Sequence, residues 1–232
     1  VIDKIQTGCE CLDNYLDGGI SPESITLIYG EPETGKTTLL MQCAINCALK
    51  NRKTLFIDCD NTFSSIRLSQ IASENSKKVA DLILLLKPVD FKEQTAVIDN
   101  LSEYIVKNFG LIIIDTFTSL YRAKIGSSSK QIFTLNRELN RQLAILAQNT
   151  KIHSLPIIIT SQVRSVFDKS FVSVEPVATR VLKFWAETII VMKPTMEPQI
   201  ILSEIEKAPT FLQDAQCTLR INGTGIHSCE VF

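Results

Sequence analysis

Apolar residues are distributed along this chain in two rhythms. Short unbroken apolar runs, Ile25–Tyr29, Leu55–Asp58, Leu82–Leu86, Leu111–Asp115 and Ile157–Thr160, read as strands buried on both faces. Between them apolar positions recur at helical spacing: Phe91, Val97, Ile98, Leu101 and Ile105 ahead of Phe109, then Ile132, Leu135, Leu139, Leu143 and Leu146 between Lys130 and His153. This alternation predicts an α/β fold, a mostly parallel sheet flanked by helices. Beyond Lys183 the runs Thr188–Met192, Gln199–Ile205 and Gln216–Ile221 lie close together, separated by the turn-rich pieces KPTMEP and NGTG. They predict an antiparallel C-terminal extension of the same sheet. Lys124–Ser129 and Val163–Ala178 show little periodicity and read as loops. Each comes after a strand of the parallel set, so each should emerge at the carboxyl edge, where open α/β sheets bind ligands. With no repeat or linker, residues 1–232 read as a single domain.

Composition narrows the classes without choosing among them. The chain has 232 residues, 45% hydrophobic and 21% charged, as in an ordinary globular protein. Its 24 basic and 25 acidic residues give a net charge of −1, which excludes a wholly basic surface but leaves room for a local basic strip. No apolar run approaches the roughly 18 residues of a membrane span, and the opening VIDKIQTGCECLDNYL lacks the pattern of a signal peptide. The expectation is a cytoplasmic protein without a membrane partner. Seven cysteines, an odd count with no CxxC pair and only two histidines, read as reduced thiols, with Cys43 and Cys47 packing on one helix.

Candidate chemistry enters with Gly30-Glu31-Pro32-Glu33-Thr34-Gly35-Lys36-Thr37, a GxxxxGK(S/T) loop between a predicted strand and a predicted helix. Glycines let the backbone wrap a phosphate, amides at the helix start point at it, Lys36 neutralises charge, and Thr37, with Thr38 beside it, opens the helix; Thr37 is the Mg²⁺ ligand. Asp115 ends an apolar strand where a second group for Mg²⁺ belongs. Asp58 and Asp60 end another strand; Asp60, nearer the edge, is the candidate base, or else the cap of the next helix. Gln162 would sense the terminal phosphate ahead of the second loop, or simply be solvated. Arg122, Lys124, Lys130, Arg164, Lys169, Arg180 and Lys183 could form a strip that tracks a nucleic-acid backbone, with Phe167 and Phe171 as stacking surfaces, or else lie in water. Arg137 and Arg141, four apart on one helix face, read as pairing with nearby acids or lying in water.

In this order the motifs resemble the RecA/RadA recombinase superfamily and, within it, the archaeal RadB group, which consists of the ATPase core. The resemblance rests on Thr7-Gly8, Leu12-Asp13, Gly18-Gly19-Ile20, the loop Gly30–Thr37, Phe56–Ala72, Ile114-Asp115, Ser119–Arg122, Leu135–Ala147, Thr160–Val163 and Ile205–Pro209. It implies a RecA-like P-loop ATPase core, without the helical DNA-binding domain that full recombinases carry ahead of it. It also implies ATP and Mg²⁺ as cofactors, Lys36 and Thr37 on the phosphates and metal, and Asp115 as the Walker B acid. Gln162 would be the switch residue and Pro209 a cap presented to a neighbouring subunit. The function implied is an accessory role in DNA repair and homologous recombination, with single-stranded DNA, a RadA-type recombinase, and a junction nuclease or other repair factor as partners. Three positions depart from the pattern: Asp60 replaces the usual Glu, Ser161 the usual Asn, and Lys207 the acid of the cap. The shorter Asp60 implies weak hydrolysis, because misplacement by about 1 Å can cost about a hundredfold. Two rival readings are a KaiC-like signalling ATPase, which shares the opening motif and the P-loop, and a nearly inert docking protein.

Overall fold

A computed structural model of the chain describes residues 3–125, 129–168, 171–176, 178–209 and 215–229. A helix α1 (Glu10–Tyr15) precedes β1 (Ile25–Gly30), α2 (Lys36–Leu49), β2 (Lys53–Asp58), α3 (Ser65–Ala72), α4 (Ser76–Asp81) and β3 (Ile83–Leu86). Next come α5 (Phe91–Asp99), α6 (Leu101–Tyr104), β4 (Phe109–Asp115), α7 (Ser119–Lys124), α8 (Ser129–His153) and β5 (Ile157–Ser161). The chain continues through β6 (Val163–Asp168), β7 (Phe171–Pro176), α9 (Thr179–Trp185), β8 (Thr188–Pro194), β9 (Ile200–Lys207), β10 (Gln216–Asn222) and β11 (Gly225–Ser228). Nine strands form one sheet in the order β11-β10-β9-β8-β1-β5-β4-β2-β3, and β6 and β7 form a separate pair. Strands β8, β1, β5, β4, β2 and β3 run parallel, in the register Ile25↔Ile157, Ile112↔Ile157 and Ile57↔Ile114.

The apolar runs of β1, β4 and β5 work because each of these central strands buries both faces. In β4, Leu111 and Ile113 join the cluster containing Leu39, Leu40 and Cys43 of α2, while Ile112 and Ile114 join the cluster containing Leu139, Leu143 and Leu146 of α8. Side chains alternate across a strand, so an unbroken Ile-rich run supplies both layers at once. On the α8 side, Arg141 bridges Asp99 of α5 and Glu138, the ion-pairing alternative of its sequence reading. Among the described residues, no helix is long and apolar enough to cross a membrane.

The structure corrects four expectations. The antiparallel extension begins one strand later than its runs predict, because β8 is parallel to β1 and only β9, β10 and β11 alternate in direction. Within Val163–Ala178, read from the sequence as a loop, Val163–Asp168 and Phe171–Pro176 are antiparallel strands, with β6 and β7 paired from Val163↔Pro176 to Asp168↔Phe171. The helical pattern from Phe91 breaks at Asn100, whose side chain donates to Ala96 O at 2.9 Å and shares that helix-end carbonyl with its own backbone N–H at 3.1 Å. Finally, Cys11 and Cys217 form a disulfide, 206 residues apart in sequence with Cα atoms 6.0 Å apart, where the sequence predicts reduced thiols throughout. It joins α1 to β10 at a place where Cys11 N also donates to Ser228 Oγ of β11 at 2.9 Å. Sequence spacing carries no trace of a pair that distant, whereas Cys9, Cys43, Cys47 and Cys59 are the buried thiols expected.

Closing so long a loop restricts the unfolded chain, by up to about 5 kcal/mol in the loop-entropy account. The thermal midpoint is therefore expected to fall on reduction, and in a Cys11→Ser variant, as followed by circular dichroism; equal midpoints with and without reductant would refute this contribution.

Candidate functional site

The carboxyl ends of β1, β2, β4 and β5 converge on one edge of the sheet. There β1 gives way to the loop 30–35 and α2, and the backbone requirements of that turn are met by particular residues. A Cβ on Gly30 would come within 2.0 Å of Met192 O, and Gly35 adopts φ +82° with Ile221 and Ile226 so close that a Cβ would meet them at 2.7 and 2.9 Å. Glu33 also lies at positive φ, 64°. The loop is closed on itself by Lys36, whose Nζ donates to Gly30 O at 2.9 Å, Glu31 O at 2.6 Å and Thr34 Oγ1 at 3.3 Å.

Asp115 is the polar centre of this edge. It is 1% exposed, and its carboxylate accepts from Thr37 Oγ1 at 2.6 Å and Thr160 Oγ1 at 2.5 Å. One acid thus joins α2, β4 and β5, and the peptide bond after it, Asp115–Thr116, is cis. Burial raises the Asp115 carboxyl above its ordinary range, opposed by the hydroxyls of Thr160 and Thr37. Burial likewise lowers the Lys36 ammonium, opposed by the charges of Asp115, Asp60 and Glu31. Each group is therefore held in a site drier than its charge favours, the condition in which a phosphate or a divalent cation would be welcomed. Thr37 Oγ1 and Asp115 Oδ2, oxygens 2.6 Å apart, suit the hydration shell of Mg²⁺, and the donors of the loop suit a polyphosphate.

Two cavities flank Lys36. The inner one, about 390 Å³, is lined by Lys36, Thr37, Asp60, Asp115, Arg122 and Gln162, together with Gly30, Pro32 and Glu33. The outer one, about 650 Å³, is lined by Glu33, Gly35 and Thr38 on the loop side and by Arg67, Gln199 and Asn222 opposite. The structure thus brings together the loop residues, Asp115, Asp60 and Gln162. It also separates the two β2 acids. Asp58, 1% exposed, accepts from Thr62 N and Phe63 N at 3.0 Å each, and Ser64 caps α3, so Asp60 is not the cap and faces the inner cavity. The Gln162 amide lies between Asp60 Oδ2, 3.5 Å from its Nε2, and Arg122 Nη1, 3.0 Å from its Oε1.

The basic strip divides. Arg122, Lys124 and Arg180 are all exposed, Arg122 at the same time lining the inner cavity, and Lys183 is paired with Glu206 at 2.5 Å. Lys169 lies outside the described residues, as do the side chains of Lys130, Arg164, Phe167 and Phe171. Lys207, expected at the cap, turns inward, its Nζ donating to Ala186 O at 2.5 Å. Sequence reasoning missed Arg67, whose guanidinium donates to Asn222 O at 2.7 Å and Gly223 O at 2.9 Å and walls the outer cavity. Nothing marks it in the sequence, because its partners lie more than 150 residues away.

This sheet order, with a P-loop and an opposed buried acid at the edge, defines a RecA-like α/β core. The Rad51 family profile matches residues 1–229. The chain is 31% identical over 229 residues to the DNA repair and recombination protein RadB of Thermococcus kodakarensis, spanning 97% of this chain and all of that one. It is 33% identical over 193 residues to the protein of the same name from Methanococcoides burtonii, spanning 83% and 84% of the two chains. The crystal structure of the RadB recombinase superposes with a TM-score of 0.83 at 31% identity, covering 97% of this chain and all of that one. The chain belongs to the Rad51 family, and within it to the RadB group.

Because the folded Asp115 carboxyl binds its proton more tightly than the ordinary value of 3.8 allows, its charge opposes folding at neutral pH, and that penalty disappears below 3.8. Asp115→Asn is accordingly expected to raise the thermal midpoint of the ligand-free protein at pH 7, with the gain shrinking toward pH 4. About 1 kcal/mol would appear as roughly 2–4 °C in a chain this long. A lower midpoint at pH 7 would refute the assignment.

Proposed function

We propose that this chain is a nucleotide-binding accessory protein of DNA repair and homologous recombination. It takes ATP with Mg²⁺ at the loop Gly30–Thr38, hydrolyses it slowly, binds single-stranded DNA, and acts with a RadA-type recombinase. The observation that carries the reading is the continuity between the inner cavity and the hairpin. Asp60 and Gln162 line the cavity beside Lys36, and β6 starts at Val163, the residue after Gln162. Phosphates are held by the loop amides and Lys36, Mg²⁺ by Thr37 and Asp115, and the base side of the nucleotide lies in the outer cavity against Arg67. Mg²⁺ supplies charge neutralisation at the phosphates.

Asp60 is the base candidate, and its short side chain, half-buried beside Gln162, favours slow turnover. Nucleotide then acts chiefly as a conformational ligand that biases Gln162 and the hairpin it leads into. The exposed cations Lys124 and Arg180 are available to DNA phosphates on the same edge, and the recombination names of the relatives favour this role over signalling. The exposed Phe133 and Phe184, at 72% and 75%, favour a protein partner as well, a recombinase or a junction nuclease among the candidates.

Anisotropy of labelled single-stranded DNA across a salt series, with and without ATP and Mg²⁺, tests this reading. Binding is expected to weaken with salt and to change with nucleotide, and Lys36→Ala should abolish the nucleotide effect while leaving the fold intact. No DNA binding at low salt in any nucleotide state would favour the docking protein instead, and retained ATP affinity in Lys36→Ala would remove the loop assignment.

A further inference from the structure

We infer that Arg122 reads the terminal phosphate of a bound nucleoside triphosphate, making this site selective for triphosphate over diphosphate. The inference rests on the nucleotide reading above and deepens it. Sequence pattern places Arg122 in the basic strip for DNA, but its side chain lines the inner cavity with Lys36, Thr37, Asp60 and Asp115. It reaches there from α7, which is fixed close behind Asp115 by Ser119 Oγ donating to Thr116 O at 2.9 Å and by Tyr121 Oη donating to Asn136 Oδ1 at 2.5 Å.

The two cations of that cavity are held differently. Its lining holds the carboxylates Glu33, Asp60 and Asp115 against the cations Lys36 and Arg122. Lys36 lies in the loop itself, bonded to Gly30 O and Glu31 O, and is the cation for the phosphates that the loop wraps. Arg122 contributes to the cavity wall from α7, and among the described residues it makes no ion pair; Nη1 donates to the neutral Gln162 Oε1 at 3.0 Å. A guanidinium carries five N–H donors and is permanently charged, so one bond to an amide leaves most of its fork unused. Planar donors at fixed spacing match the oxygens of a phosphate. A diphosphate is satisfied by the loop and Lys36, whereas a third phosphate projects beyond them toward this wall. Arg122 moving onto that phosphate would release the Gln162 oxygen it holds in the structure, one residue before β6.

The test is a titration of the full chain with fluorescent ADP and a fluorescent non-hydrolysable ATP analogue, both with Mg²⁺. Arg122→Ala is expected to weaken the triphosphate analogue about tenfold, the scale of one charge-assisted hydrogen bond. It should leave ADP within about twofold, and Arg122→Lys should restore part of the loss. Lys36→Ala should weaken both ligands. An unchanged triphosphate-to-diphosphate ratio in Arg122→Ala, at an unchanged melting temperature, would overturn the inference while leaving the nucleotide reading intact. A loss of single-stranded DNA affinity with both nucleotide affinities preserved would also overturn it and return Arg122 to the DNA strip. Failure of the unsubstituted protein to bind either nucleotide would overturn this inference and the nucleotide reading together.

Discussion

The buried carboxylate of Asp115 is the constraint around which this edge of the molecule is arranged. An ionised acid that is 1% exposed is costly unless it is hydrogen-bonded, and here two hydroxyls, from Thr37 and Thr160, close on its two oxygens. Those hydroxyls come from α2 and β5. Satisfying them fixes the start of the P-loop helix relative to two central strands. Strand order makes this arrangement available: β5 lies between β1 and β4, so the loop after β1 and the acid at the end of β4 face each other across one strand. The crossover from β1 to β2 passes over β5 and β4 and opens the crevice in which ligands of α/β sheets are found.

Much of this was legible because the central parallel strands bury both faces and are written as unbroken apolar runs. The observed β1, β4 and β5 extend the predicted runs by one or two residues. The P-loop was legible for a different reason: its backbone geometry demands glycine at particular places, as Gly30 and Gly35 show by what a Cβ would strike. The hairpin β6–β7 was not legible. It stands apart from the main sheet as a two-stranded pair, and such a strand need not show the clean alternation of one half-buried against a core. Nor was the choice between Asp58 and Asp60 settled by their spacing. The strand ends at Asp58, and the turn after it is built on the Asp58 carboxylate, which leaves Asp60 to face the cavity.

Arg67, Arg122 and the Cys11–Cys217 disulfide share another reason for escaping notice. Each acquires its role from a partner that only the folded chain brings near: the carbonyls of Asn222 and Gly223, the amide of Gln162, a cysteine at the other end of the sequence. Local pattern reports whether a residue is compatible with an element, and says little about which distant group it will meet. In the sequence Arg122 belongs to a run of basic residues beside a loop, but in the fold it faces a cavity containing three carboxylates.

The C-terminal meander is part of the site as well as a sheet extension. Gln42 of α2 is bonded to both backbone groups of Ile226, donating to its oxygen at 2.9 Å and accepting from its nitrogen at 2.5 Å. Ile221 and Ile226 press on Gly35, and Arg67 holds the turn at Asn222 and Gly223. The outer cavity therefore has one wall from the first third of the chain and another from its last strands. The two walls are joined through the α2–β11 contact, and the disulfide ties α1 to the neighbouring β10. A P-loop alone would offer phosphates a place to bind. On the proposed reading it is the meander, locked against α2, that would give the rest of a nucleotide a surface.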